Sequence, residues 1–153
     1  MLETLTIRPA RTDELNTCAS FWIAMFEEIG MLHERDLPED WRERFVTYFS
    51  ARIAADEARY FVALDGERIV ATAGALLSEG YAAIMGRRTG YIFGVCVDAN
   101  YRGRGLATTI TRETIAYLKN KACRRIRLHA SPAGRPIYER LGFEPTNEMQ
   151  LRD

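Results

Sequence analysis

Hydrophobic and polar residues repeat along this chain in two periods, one typical of strands and the other typical of helices. Short apolar or alternating runs predict strands at residues 5–8, 60–64, 69–77, 91–97 and 125–130. Asp65-Gly66 predicts a tight hairpin turn between the second and the third of these strands. Residues 143–151 are expected to add one or two last strands.

Apolar residues three and four positions apart predict helices between these strands. Thr12 begins the first helix, where its hydroxyl can cap the helix before two acids, and Gly30 ends it. The second helix opens at Pro38, the third spans residues 106–118, and a short one spans residues 132–141. The expected inner faces are Leu15, Cys18, Ala19, Trp22, Phe26 and Ile29 in the first helix, Trp41, Phe45, Tyr48, Phe49 and Ile53 in the second, and Ala107, Ile110, Thr114, Tyr117 and Leu118 in the third.

These elements follow the order β-α-α-β-β-β-α-β-α-β within a single domain over residues 1–153. The pattern predicts an α/β (α+β) fold, with a mixed central sheet of about six to seven strands and helices on both faces. Residues 78–90 are expected to form a loop that contains glycines.

Composition narrows the class of protein. The 153 residues are 47% hydrophobic and 27% charged with zero formal net charge, so neither nucleic acid nor an acidic membrane surface is an expected partner. The first residues lack a basic leader before an apolar core, and no apolar run is long enough to cross a bilayer. Three widely spaced cysteines predict buried thiols in a reducing cytoplasm, with no disulfide frame and no metal site.

A basic loop from Asp98 to Ala107, between the apolar strand and the third helix, carries the clearest chemical signal. A helix start offers unpaired N–H groups and partial positive charge, and glycines let a phosphate approach the backbone. The loop lacks the Gly-Lys-Ser/Thr of a P-loop, and it has only Gly103 and Gly105 where a dinucleotide loop needs three glycines. The pattern present is Arg-x-x-Gly-x-Gly/Ala, which begins at Arg102.

That pattern, with a strand before it and a helix after it, resembles the pyrophosphate loop of the GNAT superfamily of acyl-CoA N-acyltransferases. The resemblance spans nearly the whole chain and implies a GNAT-like fold. It also implies acetyl-CoA as the co-substrate, a small-molecule or peptide amine as the acceptor, and no metal. Dimers are frequent in the family, and the oligomeric state of this chain stays open.

The resemblance implies which residues hold the donor. Backbone N–H groups of residues 103–107 would bind the diphosphate, and Arg102 would either add charge or tie the loop to Asp98. The preceding strand would splay from its neighbour and pair with the pantetheine arm, and one of its N–H groups could polarise the thioester carbonyl. The expected cofactor-binding residues are Val95, Cys96, Val97, Arg102, Gly103, Arg104, Gly105, Leu106, Ala107, Thr108, Ser131 and Tyr138.

Residues 131–143 are similar to a second family motif, Asn-x-x-Ala-x-x-x-Tyr-x-x-x-Gly-Phe. Tyr138 and the final Gly-Phe match it, whereas Ser131 replaces the Asn and Gly134 replaces the Ala. Ser131 could hydrogen-bond the pantetheine arm or serve only as a helix cap. Tyr138 is the implied proton donor to the departing CoA thiolate, and a helix start near Pro136 would lower its pKa.

The proton acceptor for the amine is left open by the resemblance. The carboxylate that some family members carry on the central strand is replaced here by Tyr91, which could hold a water that relays the proton. Glu28, Glu79 and His33 are the other candidates. His129 is expected to have a structural role.

The predicted function is transfer of acetyl from acetyl-CoA to a primary amine by direct attack in a ternary complex. Acids within residues 27–40 would suit a cationic amine, and this region and residues 78–90 are expected to flank the acceptor. Cys96 could in principle form an acyl-cysteine, but a small buried residue is the preferred interpretation. The alternatives are a non-catalytic acyl-CoA-binding module and a transferase of a bulkier acyl group.

Overall fold

The computed structural model describes residues 5–78 and 81–153, with the backbone alone at residues 82 and 83. Its five strands are β1 Leu5–Pro9, β2 Ala58–Asp65, β3 Arg68–Ser78, β4 Arg88–Val97 and β5 Cys123–Leu128. They form one sheet in sequence order, in which only β4 and β5 are parallel. The hairpin predicted at Asp65-Gly66 joins β2 to β3.

Helices cover both faces of this sheet. They are α1 Leu15–Glu28, α2 Trp41–Ala54, the single turn α3 Ala82–Met85, α4 Leu106–Asn120 and α5 Arg135–Arg140. A 3-10 turn, Thr12–Glu14, precedes α1, so the regular helix begins three residues after the predicted start.

Side chains of β2 alternate between two cores, as the period of a strand requires. Tyr60, Val62 and Leu64 pack with α1 and α2, while Phe61 and Ala63 pack on the face covered by α4. This burial on both sides explains why the middle strands read as nearly continuous apolar runs.

Further sequence expectations differ from the structure, among them the burial of Ile29, which is exposed. Residues 143–153 form no strand, so the described sheet has five strands and not six to seven. That segment is mostly polar, and its Met149 and Leu151 are fully exposed, so pairing with β5 would bury little apolar surface. The loop expected at 78–90 contains α3 and the start of β4, and Tyr48 is half-exposed on α2.

The second half of β4 departs from regular pairing on both of its sides. Toward β3, Thr72 pairs with Cys96 and Gly74 pairs with Phe93. One residue therefore lies between the pairs on β3 but two lie between them on β4, so β4 carries a bulge at Gly94. Gly94 has φ +62°, and its carbonyl accepts a 2.9 Å hydrogen bond from the buried Thr72 hydroxyl. Toward β5, the last pair is Ile92 with Leu128, beyond which the two strands part. The result is a fork between β4 and β5.

Candidate functional site

A cleft of about 570 Å³ opens at the fork between β4 and β5. It is lined by every predicted donor-binding residue except Arg104. The end of α1 forms one wall, the loop before α4 forms the base, and the turn into α5 closes the opposite side. The remaining lining residues are Met25, Glu28, Ile29, Tyr101, Ala133, Gly134, Ile137 and Arg140.

The start of α4 presents backbone donors to this cleft. Gly105 precedes the helix at φ +76°, a left-handed conformation that favours glycine, and no side chain caps the helix there. The first helical hydrogen bond runs from the Thr109 N–H to the Gly105 carbonyl at 3.1 Å. The N–H groups of Leu106, Ala107 and Thr108 therefore have no partner within the helix, and together with the helix dipole they suit a diphosphate.

The two arginines of the loop are held by protein groups. Arg102 donates from both terminal nitrogens to Glu28, at 2.7 and 2.8 Å, and from Nε to the Val97 carbonyl at 3.1 Å. Arg104 lies over the Tyr101 ring and donates to a backbone carbonyl outside the cleft. Arg102 thus ties the loop to α1, and the alternative tie to Asp98 is wrong because Asp98 pairs with Arg68.

The ion pair with Arg102 also affects whether Glu28 can act as a proton acceptor. Hydrogen bonds from the Arg102 guanidinium lower the pKa of the Glu28 carboxyl, because they stabilise its charged form. A carboxylate stabilised in this way takes up a proton less readily, so the site disfavours Glu28 as the base.

Tyr138 lies across the cleft from β4. The helix that carries it begins at Arg135 with Pro136 in its first turn, so the start expected at residue 132 is too early and a start near Pro136 is correct. Burial raises the pKa of Tyr138 to about 12, in the opposite direction to the effect expected from the helix start.

Two residues that depart from the family motif, Ser131 and Gly134, lie at the turn before α5. A Cβ at position 134 would stand 3.0 Å from the Tyr138 ring, so an alanine there would require a small shift of the Tyr138 side chain. The Ser131 hydroxyl accepts a hydrogen bond from the Gly134 N–H and can still donate its own proton.

Tyr91 and His129 meet at the closed end of the fork. The Tyr91 hydroxyl oxygen lies 2.6 Å from His129 Nδ1, and the Tyr91 ring stacks in parallel on Phe93. Burial is the main cause that raises the pKa of Tyr91. The contact joins residues 38 positions apart, so no local pattern predicts it.

A second cleft, of about 650 Å³, lies along the outer side of β5. It contains His129, Arg127 and Glu148, together with side chains from α5 and the C-terminal segment. Tyr138 lines both clefts, so the two spaces adjoin at its ring.

The remaining residues that the sequence suggested for catalysis or acceptor binding have weaker support. Burial raises the pKa of Cys96 to about 11, which keeps its thiol protonated at neutral pH. His33 lines neither cleft, and Glu79 lies outside the described residues. Glu27 and Glu34 accept hydrogen bonds that close the connection between α1 and α2, from the Glu34 N–H and the Trp41 indole.

Within residues 5–78 and 81–153, no helix combines the length and the apolar character needed to cross a bilayer. Within the same ranges, no group of three His, Cys, Asp or Glu side chains could hold a metal ion.

Comparisons with known proteins agree on one family. The family model described as "Acetyltransferase (GNAT) family" matches residues 26–143. N-alpha-acetyltransferase 30 of Schizosaccharomyces pombe is 30% identical over 120 residues, which cover 76% of each chain. Glucosamine 6-phosphate N-acetyltransferase of Trypanosoma brucei brucei is 34% identical over 85 residues, and the match spans only 56% of either chain.

Solved structures show the same fold. A "predicted acetyltransferase with acetyl-CoA" from Clostridium acetobutylicum superposes with a TM-score of 0.84 at 24% identity, over 97% of this chain and 96% of that one. Membership of one family explains the fork, the uncapped helix start and the tyrosine across the cleft. The family model and the Schizosaccharomyces pombe relative show that the chain belongs to the acetyltransferase (GNAT) family.

Proposed function

We propose that this protein transfers the acetyl group of acetyl-CoA to a primary amine by direct attack in a ternary complex, in the cytoplasm. The observation that carries the proposal is the fork between β4 and β5. Its cleft brings together an uncapped helix start for a diphosphate, a free strand edge for an extended arm and a tyrosine hydroxyl.

The donor is bound mainly by backbone groups. The diphosphate accepts hydrogen bonds from the N–H groups at the start of α4. The pantetheine arm pairs with residues 95–97, which β5 leaves free, as an added strand would. The diphosphate and the strand edge together fix where the thioester lies, and a β4 N–H near the bulge polarises its carbonyl.

Tyr138 stabilises the departing thiolate by donating a hydrogen bond. A free thiol titrates near about 8.5, so full proton transfer from a phenol with a pKa of about 12 costs about 5 kcal/mol. A hydrogen bond needs no such transfer and still lowers the energy of the charge that develops on sulfur.

Direct attack is favoured over a covalent acetyl-cysteine. The Cys96 thiol is protonated at neutral pH, and a thiol must become a thiolate to act as a nucleophile. Because the amine itself attacks the thioester, the acceptor must reach the donor cleft, and the second cleft, which shares Tyr138 with it, offers one path.

Thiol release from acetyl-CoA tests the proposal over a panel of amines. The panel contains glucosamine 6-phosphate, a peptide with a free α-amine and sisomicin, which follow from the names of similar proteins. We expect amine-dependent release from at least one of them. Tyr138→Phe should lower kcat by about ten- to a hundred-fold while the acetyl-CoA Kd stays within about twofold, since only the transition state loses a hydrogen bond.

The panel also separates an enzyme from a module that only binds acyl-CoA. Tight binding of acetyl-CoA, with no release of its thiol in the presence of any of the three amines, would overturn the proposed activity. Tyr138→Phe turnover equal to that of the wild type would remove Tyr138 from the mechanism and leave the activity standing.

A further inference from the structure

We infer that Tyr60 is a positioning residue for acetyl transfer, because its hydroxyl packs against Gly94 and holds the bulge of β4 in place. The inference rests on the proposed function, since it concerns the β4 N–H that polarises the thioester carbonyl. Tyr60 lines neither cleft, so it acts through the backbone of β4 and not by touching a substrate.

The Tyr60 side chain reaches the bulge by crossing one strand. Tyr60 pairs with Gly74 of β3, and Gly74 pairs in turn with Phe93 of β4. Because Gly74 has no side chain, the Phe93 ring lies over it, and a Cβ there would stand 2.4 Å from that ring. The Tyr60 ring meets Phe93 edge-on, with 5.3 Å between the ring centroids. In this orientation the hydroxyl reaches Gly94, where an added Cβ would lie 2.8 Å from the phenol oxygen.

The Tyr60 hydroxyl has no hydrogen-bond partner among the residues that the structure describes, although the residue is only 1% exposed. A buried hydroxyl that loses its hydrogen bonds to water and gains no others destabilises the fold. Phenylalanine would keep the ring without this cost, so stability alone does not account for the hydroxyl. The oxygen does occupy volume, at the place where Gly94 leaves room for it.

Two side chains from different strands therefore hold Gly94. The Thr72 hydroxyl donates to its carbonyl, and the Tyr60 oxygen lies on the side where a Cβ would project. Neither Gly94 nor Val95 has a partner in the pairing of β4 with β3 or with β5, so these contacts restrain a stretch that the sheet itself does not.

The conformation of Gly94 matters for the reaction because of the peptide group that follows it. Val95 lines the donor cleft, and its N–H belongs to the planar peptide that joins it to Gly94. A change at Gly94 thus turns this N–H away from the thioester carbonyl. A misplacement of about 1 Å can lower a rate by as much as about a hundred-fold.

Tyr60→Phe tests the inference, since it removes only the oxygen. Thr111→Val is the matched control, because the Thr111 hydroxyl is also buried without a partner in the described part of the chain. Thr111 belongs to α4, which covers the opposite face of the sheet. For each variant, kcat and KM are measured with the fastest amine of the panel, together with the acetyl-CoA Kd and the thermal unfolding midpoint.

We expect Tyr60→Phe to unfold at the wild-type temperature or above, because an unpaired hydroxyl is removed. Its kcat should fall about tenfold while the acetyl-CoA Kd and the amine KM stay within about twofold, since the loop before α4 still holds the donor. Thr111→Val should keep the wild-type kcat. Without any donor, NMR amide resonances of residues 94–96 should shift in Tyr60→Phe, and those of residues 105–108 should not.

The contact itself is tested by Gly94→Ala. Its Cβ would meet the Tyr60 oxygen, so Gly94→Ala should lower the unfolding midpoint more in the wild-type background than in the Tyr60→Phe background. Equal losses in the two backgrounds would show that the hydroxyl does not restrain Gly94, and would overturn the inference.

Two further results would overturn the inference and leave the proposed function intact. One is a Tyr60→Phe enzyme with the wild-type kcat. The other is a Tyr60→Phe enzyme that unfolds at a clearly lower temperature than the wild type, which would make the hydroxyl a stabilising group. A wild-type enzyme that turns over none of the three amines would overturn the proposed function itself, and the inference with it.

Discussion

Arg102 joins the loop before α4 to the end of α1 through a two-point ion pair with Glu28, 74 residues earlier in the chain. The same guanidinium donates to the Val97 carbonyl at the end of β4. One side chain therefore connects three elements that line the donor cleft. Its task is to hold the loop in place, since its charge is already balanced by a carboxylate.

Replacing Glu28 tests this assignment. We expect Glu28→Gln to raise the KM for acetyl-CoA several-fold and to keep the shape of the kcat/KM pH profile, because the loop loosens while the proton acceptor remains. Stability should fall by less than about 1 kcal/mol, as both partners are half-exposed. If Glu28→Gln lowers kcat about a hundred-fold and its kcat/KM no longer falls at low pH, Glu28 is the base instead.

Gly105 tests whether the helix start binds the diphosphate. Gly105→Ala introduces a side chain at φ +76°, which costs about 1 kcal/mol, and we expect its Cβ to crowd the bound diphosphate. We expect the acetyl-CoA Kd to rise about tenfold or more. Gly66→Ala, at φ +62° in the β2–β3 turn with nothing near its Cβ, imposes similar strain away from the cleft. Calorimetric titration should show an unchanged Kd for that control, and equal Kd changes in both variants would refute the assignment.

Cys96 separates direct attack from a covalent intermediate. We expect Cys96→Ser to retain kcat within about threefold, because a protonated, buried thiol does no chemistry in the proposed reaction. Mass spectrometry of the wild-type protein with acetyl-CoA and no amine should show no acetylated protein. An acetyl adduct that disappears in Cys96→Ser, together with loss of turnover, would establish the covalent route.

Glu14 links the structure to acid stability. Its buried carboxylate accepts hydrogen bonds from Arg8 and the Arg11 N–H, and mainly the Arg8 hydrogen bond lowers its pKa from 4.5 to about 2. A lowered pKa in the folded state stabilises the fold at pH values above 4.5, and this contribution disappears as pH falls toward 2. Glu14→Gln should therefore unfold more easily at pH 7, by up to about 3 kcal/mol, and should match the wild type near pH 2.

Denaturant unfolding at several pH values measures this difference. Asp13→Asn is the matched control, because Asp13 is exposed and pairs only loosely with Arg11. A Glu14→Gln deficit of equal size at pH 2 and pH 7 would show that packing, and not the ionised carboxylate, is responsible.

Local pattern predicted most of the fold. The β2–β3 hairpin, α4 and β4 follow from runs whose period and turn residues agree, and both faces of β2 are buried as its apolar run requires. The last strands were predicted wrongly because residues 143–151 contain few apolar side chains, and a strand forms only where pairing buries enough surface. The predicted helix over residues 132–141 starts too early, because α5 begins at Arg135, where the ring of Pro136 fits the first turn.

The parts of the site that are contiguous in sequence were also the parts that could be predicted. The donor cleft was predictable because a strand, a glycine-containing loop and a helix start are contiguous in sequence. The Arg102–Glu28 and Tyr91–His129 contacts join residues far apart in the chain, and only the folded sheet brings them together. The rise in the pKa of Tyr138 also depends on burial, which the residue type alone does not reveal.

Amide chemical-shift mapping by NMR with added acetyl-CoA tests most directly whether the fork between β4 and β5 holds the donor. We predict the largest changes at residues 95–97 and 105–108, with smaller changes near Ser131 and Tyr138. Changes concentrated in the second cleft, at residues 126–129 and 143–151, or no saturable change at all, would contradict the placement of the donor.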